Sequence, residues 1–225
     1  TLYYVDPARP EDVFLFVPEL RRVLRVSSKS RCAPANNSDF TYDDFRSGFN
    51  GGIARFSATY LRDQPILSLI YSEPHLYGNL SNFYPLFFPR PIIGKWEVRN
   101  TQVIDTRRVP SQQAGYCYGK QIMYVDKYSY NILWKDLYDP HMKFFKTDMV
   151  NHLAQAVPQE GMQYETGNWI QTIWNFDADH LTSTVTADTA GGGERNNQDC
   201  RNVDGANYDN IERYSTVDGL TQVMR

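Results

Sequence analysis

The chain has 225 residues, which is enough for one medium-sized domain with a hydrophobic core of its own. Its 41% hydrophobic and 22% charged residues are typical of a soluble globular protein. The formal net charge of −3 argues against nucleic acid as a partner, because phosphate binding requires a concentrated basic surface.

No segment approaches the roughly 18 consecutive apolar residues of a membrane-spanning helix. Residues 1–6 lack the features of a signal peptide and look like a strand already under way, so we expect a processed or truncated piece of a longer protein. Cys32, Cys117 and Cys200 lie far apart without a C-x-x-C pair, which argues against a metal or redox motif. One disulfide with one free thiol, and three buried thiols, are both compatible with this spacing.

The first predicted element is a strand–turn–strand hairpin. Apolar runs on both sides of Pro18-Glu19 predict it over residues 13–26. After a polar loop, Asp43 and Asp44 are placed to begin a short helix, because a carboxylate near a helix N-terminus accepts backbone N–H groups.

The next segments combine strands with an unusually apolar loop. Residues 53–61 and 66–71 are rich in β-type side chains and predict two strands. Between residues 72 and 94 prolines alternate with aromatic residues, and proline cannot donate to a strand ladder, so this segment is predicted to be a loop. An apolar loop of this length must pack against something or cover a cavity.

A meander of short strands is the clearest signal in the sequence. Apolar and polar residues alternate in three segments separated by turn residues, namely 96–105, 116–126 and 130–138. Strands at this spacing form an antiparallel meander rather than βαβ units. The remaining predictions are strands at 143–146, 169–176 and 180–187, an exposed polar loop at 188–210, and a short helix at 215–225 capped by Ser215 or Thr216.

Catalytic and metal-binding templates fit the sequence poorly. It contains no nucleophile elbow, no H-E-x-x-H and no phosphate-binding glycine loop. The histidines fall in separate segments, mostly near predicted turns: His75, His141, His152 and His180. Three carboxylates near aromatic residues, Asp126, Asp136 and Asp139, suggest a glycosidase pair, but each also lies where a turn or a strand edge favours aspartate. Residues 199–205 lack the alternating oxygen ligands of a calcium loop, so we expect no cofactor, no metal and no catalytic residue.

Several motifs in sequence order resemble one family. Residues 9–25, RPEDVFLFVPELRRVLR, resemble the R-P-D-D-x-W-x-Y-x-P-x-x-R-R-V-R-R signature of the DUF1329 family. Residues 39–51 resemble its T-x-D-D…F-x-G step, and residues 96–139 resemble its R-W-E…Y-x-K-R-x-F-Y-x-D…D-x-Y-D run. The chain departs from the family at residues 100–103, which read N-T-Q-V in place of H-R-V-W.

The resemblance implies a bacterial envelope protein similar to the LolA/LppX group of lipid and lipoprotein carriers. Members are longer than this chain, which would match their C-terminal half, so residues 1–225 form one domain or part of a larger LolA-like domain. The implied fold is mostly β: a curved antiparallel sheet, or incomplete barrel, around an apolar cavity, with short helices and long loops. The implied location is the periplasm or cell envelope of a Gram-negative bacterium, with no catalytic residue to carry over.

The favoured function is non-enzymatic binding of a lipid or a lipoprotein acyl chain, as a carrier or sorting factor. The lining is expected to come from the strands and from the aromatic loop: Trp96, Val98, Ile122, Tyr124, Ile132, Trp134, Phe144, Phe83, Phe87 and Phe88. A filled sheet core is the alternative reading of each of these residues. Expected partners are an inner-membrane exporter or an outer-membrane component, and the missing N-terminal half. The alternatives are an envelope scaffold that presents an aromatic surface to a transporter and, less favoured, a carbohydrate-active enzyme.

Overall fold

The computed structural model describes ten segments of the chain: residues 6, 12–17, 22–26, 31–45, 48–50, 52–72, 88–157, 161–185, 210 and 216–219. They fall into two compact units. One comprises Thr1–Arg31 with Arg195–Arg225, and the other comprises Cys32–Glu194.

The first unit contains a two-stranded antiparallel hairpin. Strand β1 (Val13–Val17) pairs with β2 (Arg22–Val26), with Val13 opposite Val26 and Val17 opposite Arg22. This confirms the hairpin predicted around Pro18-Glu19, although the turn lies outside the described residues. Of the predicted terminal helix, residues 217–219 are described and helical, and the Thr216 hydroxyl accepts the Gly219 N–H at 3.0 Å.

The second unit is built on an antiparallel sheet of seven described strands in sequence order, which confirms the predicted meander and the mostly β class. The strands are β3 (Phe56–Ser72), β4 (Gly94–Arg108), β5 (Lys120–Asp126), β6 (Ile132–Tyr138), β7 (Phe144–Val157), β8 (Gly161–Asn175) and β9 (His180–Val185). Short helices connect or precede them: 3₁₀ turns at Ala35–Asn37, Ile53–Arg55 and Pro91–Ile93, and α1 at Pro110–Gln113.

Strand β3 replaces the two strands predicted at 53–61 and 66–71. It runs through Pro65, which forms a register pair with Asn100, and a bulge lies near Tyr60. Proline is tolerated because β3 is an edge strand among the described ones, so the missing N–H faces no second neighbour.

Other boundaries also differ from the predicted ones. Residues 116–119 precede β5 instead of opening it. The predicted helix start at Asp43-Asp44 is a turn, in which the Asp44 carboxylate accepts the Thr41 N–H at 2.8 Å. Most of the predicted loops at 72–94 and 188–210 lies outside the described residues, at 73–87 and 186–209.

The sheet is curled, and it is not closed into a barrel. In a flat sheet β3 and β7, four strands apart, would be separated by about 19 Å. Instead the Asn151 side-chain amide on β7 donates a hydrogen bond to the Leu69 backbone carbonyl on β3. The curl therefore brings the ends of these strands together and encloses part of one face, which we call the inner face.

The opposite face is covered by residues 32–45 and 48–50, which precede β3 and which we call the covering segment. The hydrophobic core on this face contains side chains from the covering segment, from the residues before β5, and from β6 and β8: Phe40, Tyr116, Tyr118, Leu137 and Ile173. A Cys32–Cys117 disulfide links the covering segment to the residues before β5. Of the two alternatives for the cysteines, three buried thiols are therefore excluded. Cys200 lies outside the described residues.

Candidate functional site

Stacked aromatic rings line the inner face where the sheet curls. Trp134 on β6 and Trp174 on β8 stack with ring centroids 5.9 Å apart and planes 20° apart. Phe88 stacks on Trp174 with centroids 6.3 Å apart. The tryptophans can approach each other because each is paired, in register, with a residue of the intervening strand β7.

Apolar side chains from the curled strand ends surround this stack. Leu69 and Met149 are fully buried with Trp174, and Trp96 and Leu181 pack against them partly buried. Trp96 and Trp134 keep part of their surface exposed, since neither belongs to the buried core. The inner face thus has a buried apolar layer beneath tryptophan rings that remain partly accessible to solvent.

A cavity of about 210 Å³ lies beside Trp134. Its lining comes from β3, β5 and β6: Gln64, Ile66, Leu67, Tyr124, Trp134 and Asp136. Tyr124 is directly opposite Trp134 in the register of β5 and β6. Sites for whole drug-sized ligands are typically about 300–1,000 Å³, so this cavity suits a small group or one end of a longer molecule.

The polar side of this cavity is held in place by hydrogen bonds. The Tyr124 hydroxyl donates to Asp136 Oδ2 at 3.0 Å, and the Thr147 hydroxyl donates to Asp136 Oδ1 at 2.8 Å. Burial, together with the Asp136 charge, raises the pKa of Tyr124 to about 12, so the phenol keeps its proton. Nearby, Arg62 donates from Nε and Nη2 to Gln64 Oε1 at 2.9 and 2.7 Å.

A second, larger cavity of about 650 Å³ lies at the β5–β6 turn. Asp126 braces this turn: it accepts from Ser129 N–H and Oγ, and it pairs with Arg99 at 2.8 Å. Tyr128 at the tip is 88% exposed. Side chains of both charges line this cavity together with apolar ones such as Val98.

Beneath the opposite face lies a buried group of charges. Lys135 Nζ is 3.0 Å from Asp44 Oδ1 and 3.2 Å from Asp148 Oδ2, and all three side chains are fully buried. Gln171 donates to Asp148 at 2.7 Å, and Tyr118 donates to Asp44 at 2.6 Å. One ammonium group therefore faces two carboxylates inside the protein.

The pKa values of the two carboxyls differ because their surroundings differ. Burial raises the pKa of Asp148 to about 7, and this outweighs the attraction of Lys135. For Asp44, burial would also raise the pKa, but Lys135 and the hydrogen bonds from Tyr118 and Thr41 bring it below its ordinary value. Asp44 is thus the permanent partner of Lys135, while Asp148 is the carboxyl that titrates.

Two further candidates for chemistry, Asp139 and His180, make structural contacts. Asp139 accepts the His141 and Lys143 backbone N–H groups at 2.8 and 2.9 Å, so it stabilises a turn as Asp126 does. His180 pairs with Asp39 at 2.5 Å. Across the described segments, no group of three His, Cys, Asp or Glu side chains is placed to hold a metal ion. In those segments no helix has the length and apolar character needed to cross a membrane.

The family model of DUF1329, a protein family of unknown function, matches residues 1–212. The chain belongs to the DUF1329 family. No curated protein matches the sequence. The resemblance seen in the sequence motifs is therefore confirmed over nearly the whole chain.

Solved structures are similar to this DUF1329 protein. A putative outer membrane lipoprotein-sorting protein domain from Vibrio parahaemolyticus is 19% identical, with a TM-score of 0.53 over 82% of this chain and 62% of that one. A DUF1329 family protein from Desulfovibrio piger ATCC 29098 is 11% identical, with a TM-score of 0.50 over 76% of this chain and 55% of that one. A LolA superfamily protein from Nitrosomonas europaea is 11% identical, with a TM-score of 0.46 over 79% of this chain and 60% of that one. The chain thus spans less than two thirds of the length of each of these proteins.

Four of the residues predicted to line a cavity in this DUF1329 protein meet at the inner face: Trp96, Tyr124, Trp134 and Phe88. Ile122 is buried and pairs with Asp136 in the register, next to the small cavity. Phe83 and Phe87 lie outside the described residues.

Three predicted lining residues lie elsewhere. Val98 is 70% exposed and belongs to the larger cavity. Phe144 is 40% exposed and contacts the rings of Tyr138 and Phe176. Ile132 is paired with Val125 because the register shifts there, and its side chain lies beside Gly48 in the covering segment.

Leu69, Met149 and Trp174 are inner-face residues that the sequence reasoning missed. Trp174 lies in a segment correctly predicted to be a strand, so its alternation with Ile173 was the signal that could have identified it. Leu69 and Met149 join it only through the curl of the sheet, which no local pattern reports.

Proposed function

We propose that this protein binds a lipid or a lipoprotein acyl chain on the tryptophan-lined inner face, as a non-enzymatic carrier or sorting factor of the cell envelope. The observation that carries the proposal is the half-buried Trp134, which joins the Trp174 stack and also lines the adjoining cavity. An acyl chain laid along these rings would gain about 0.8 kcal/mol for each methylene removed from water.

The shape of the sheet supports this proposal. An open, curled sheet leaves one side accessible, so a chain can enter and leave without unfolding the protein. The base of the face is held by fully buried Leu69 and Met149, so the binding surface is preformed and little conformational entropy is lost on binding. Tryptophan suits this role because it offers a large, rigid apolar surface.

The cellular setting is also part of the proposal. The similar Vibrio domain is described as a putative outer membrane lipoprotein-sorting protein domain, in keeping with a Gram-negative periplasm. The Cys32–Cys117 disulfide fits an oxidising compartment of that kind. The proposed partners are an inner-membrane exporter or outer-membrane component, and further sequence of the protein N-terminal to this chain.

The experiment is native mass spectrometry of the protein purified from a Gram-negative periplasm, followed by organic extraction and lipid identification. We expect a stoichiometric phospholipid or acyl species. Trp134→Ala should weaken the uptake of a fluorescent fatty acid at least about tenfold, because it removes the ring shared by the stack and the cavity. Tyr128→Ala is the matched control, since it removes an exposed ring at the β5–β6 turn that does not line the small cavity, and it should leave uptake unchanged.

A clean apo mass, together with no uptake of the fluorescent fatty acid, would refute this function. The second candidate would then be a scaffold that presents an apolar surface to a transporter. Exposed apolar side chains on the edge strand β3, namely Tyr60, Leu61 and Leu67, favour that candidate, and Leu67 is paired with exposed Val98 on β4.

A further inference from the structure

The geometry points to a specific ligand class: we propose that the cavity beside Trp134 receives the ammonium group of a zwitterionic lipid headgroup. This inference rests on the proposed lipid-binding function and adds the headgroup chemistry to it. The acyl chains would lie along the neighbouring tryptophan stack, and only the headgroup would enter the cavity.

The lining of the cavity has the composition that recognises an organic cation. Trp134 and Tyr124 supply two aromatic rings, and aromatic rings attract an ammonium group through the negative charge of their faces. Asp136 adds a carboxylate in the same cavity. Rings and a carboxylate together suit a cation and disfavour an anion.

The Asp136 carboxylate is oriented for this task. Each of its oxygens accepts one hydrogen bond, from Tyr124 and from Thr147, and those donors sit on the neighbouring strands β5 and β7. A carboxylate oxygen can accept more than one hydrogen bond, so both oxygens can also accept from a ligand ammonium group. Because the donors hold the side chain in place beforehand, the ligand need not order it.

A cationic side chain stands near the cavity and completes the match to a zwitterion. Arg62 donates to the cavity residue Gln64, and its positive charge acts on Tyr124. In register, Arg62 is opposite Val103 and Val103 is opposite Tyr124, so Arg62 and Tyr124 lie on one face, two strands apart. A lipid phosphate lies a few bonds from its ammonium group, and Arg62 is the group placed to meet it.

The same charges predict discrimination between lipids. Asp136 would keep a fatty-acid carboxylate out of the cavity, while the acyl chain of that fatty acid could still lie on the tryptophan stack. A phosphatidylglycerol headgroup would bring no ammonium group to pair with Asp136. The volume of about 210 Å³ is below that of a site for a whole drug-sized ligand, so only one end of a lipid would enter the cavity.

The test compares lipids that share their acyl chains and differ only in headgroup. Purified protein would be titrated with short-chain phosphatidylethanolamine and with short-chain phosphatidylglycerol below their micellar concentrations, with tryptophan fluorescence as the readout. We expect phosphatidylethanolamine to bind about tenfold to a hundredfold more tightly, the range of one hydrogen bond to a charged group. Asp136→Asn should abolish that preference by weakening the binding of phosphatidylethanolamine.

The control variant is Asp105→Asn. Asp105 also lies on this sheet and bonds Arg107, but it does not line the cavity. This variant should keep the full preference. Circular dichroism of both variants checks the fold. The amide that replaces the Asp136 carboxylate can still bond the Tyr124 and Thr147 hydroxyls, because each hydroxyl also accepts.

Soluble phosphoethanolamine distinguishes the source of the ammonium group. We expect it to bind far more weakly than the lipid, because it lacks acyl chains for the tryptophan stack. Equally tight binding of phosphoethanolamine would overturn the lipid headgroup as the ligand. Equal affinity of wild-type protein for the two lipids would overturn the headgroup inference while leaving the lipid-binding function standing. Binding of neither lipid would refute the function itself.

Discussion

Replacing Asp148 by asparagine should change the pH dependence of stability by an amount that can be worked out from the structure. Burial raises the pKa of Asp148 to about 7 in the folded protein, against 3.8 for an ordinary aspartate. Between these values the folded protein holds a proton that the unfolded chain has lost. The wild-type protein therefore loses stability as the pH rises through this window.

The magnitude follows from these two pKa values. Between about pH 4.5 and about pH 8 the cost of ionising Asp148 in the folded state amounts to about 3 kcal/mol. Asparagine cannot ionise, and it can still accept hydrogen bonds from Lys135 and Gln171 through its carbonyl oxygen. Asp148→Asn should therefore gain about 3 kcal/mol relative to wild type between those pH values.

The assay is urea unfolding of both proteins at the two pH values. Comparing the change between variant and wild type removes the contribution of every other titrating group that the substitution leaves unaltered. Asp177→Asn is the control, because that carboxylate is exposed, pairs with exposed Lys143, and should give no measurable difference in stability at either pH value. A stability difference between Asp148→Asn and wild type that stayed constant with pH would refute the reasoning.

Two further predictions concern the covering segment and its surroundings. Reducing the Cys32–Cys117 disulfide, which closes a separation of 85 residues, should lower the free energy of unfolding by about 2–4 kcal/mol, as measured by urea unfolding with and without reductant; no change in the double serine variant would contradict this. Gly48→Ala should be more destabilising than Gly115→Ala by at least about 1 kcal/mol in thermal unfolding. Both glycines have positive φ, but only at Gly48 would the new Cβ meet a packed side chain, that of Val150 at 2.9 Å. Equal decreases in thermal stability for the two variants would show that Val150 moves aside at no cost and would contradict this prediction.

Sequence reasoning predicted the candidate site in part. Trp96, Tyr124 and Trp134 were expected at a cavity, and they lie at the inner face because alternation along a strand is a local property that the sheet preserves. Ile132 does not line the inner face, because the register shift between Ile132 and Trp134 places these two side chains on opposite faces of the sheet. Val98 shares the alternation of Trp96, but it lies outside the curl and remains exposed.

The charged residues were harder to place from the sequence. Lys135 lies between an aromatic and a carboxylate neighbour in a strand of alternating pattern, where a lysine is normally a solvent-facing residue. It is fully buried here because Asp44 neutralises it and Asp148 contacts its ammonium group at 3.2 Å. Those partners lie 91 and 13 residues away along the chain, so no window of local sequence contains the arrangement.

The sequence by itself determined the mostly β class, the hairpin of residues 13–26, the meander from residue 94 onward, and membership of the DUF1329 family. These features depend on alternation, turn residues and ordered motifs, which are all local. The tertiary structure alone decided that β3 continues through Pro65, that the sheet curls until β3 meets β7, and that Trp134 and Trp174 stack. The physical reason is that each of these depends on which strand becomes an edge, on sheet twist and on contacts between distant residues, and these are properties of the assembled sheet.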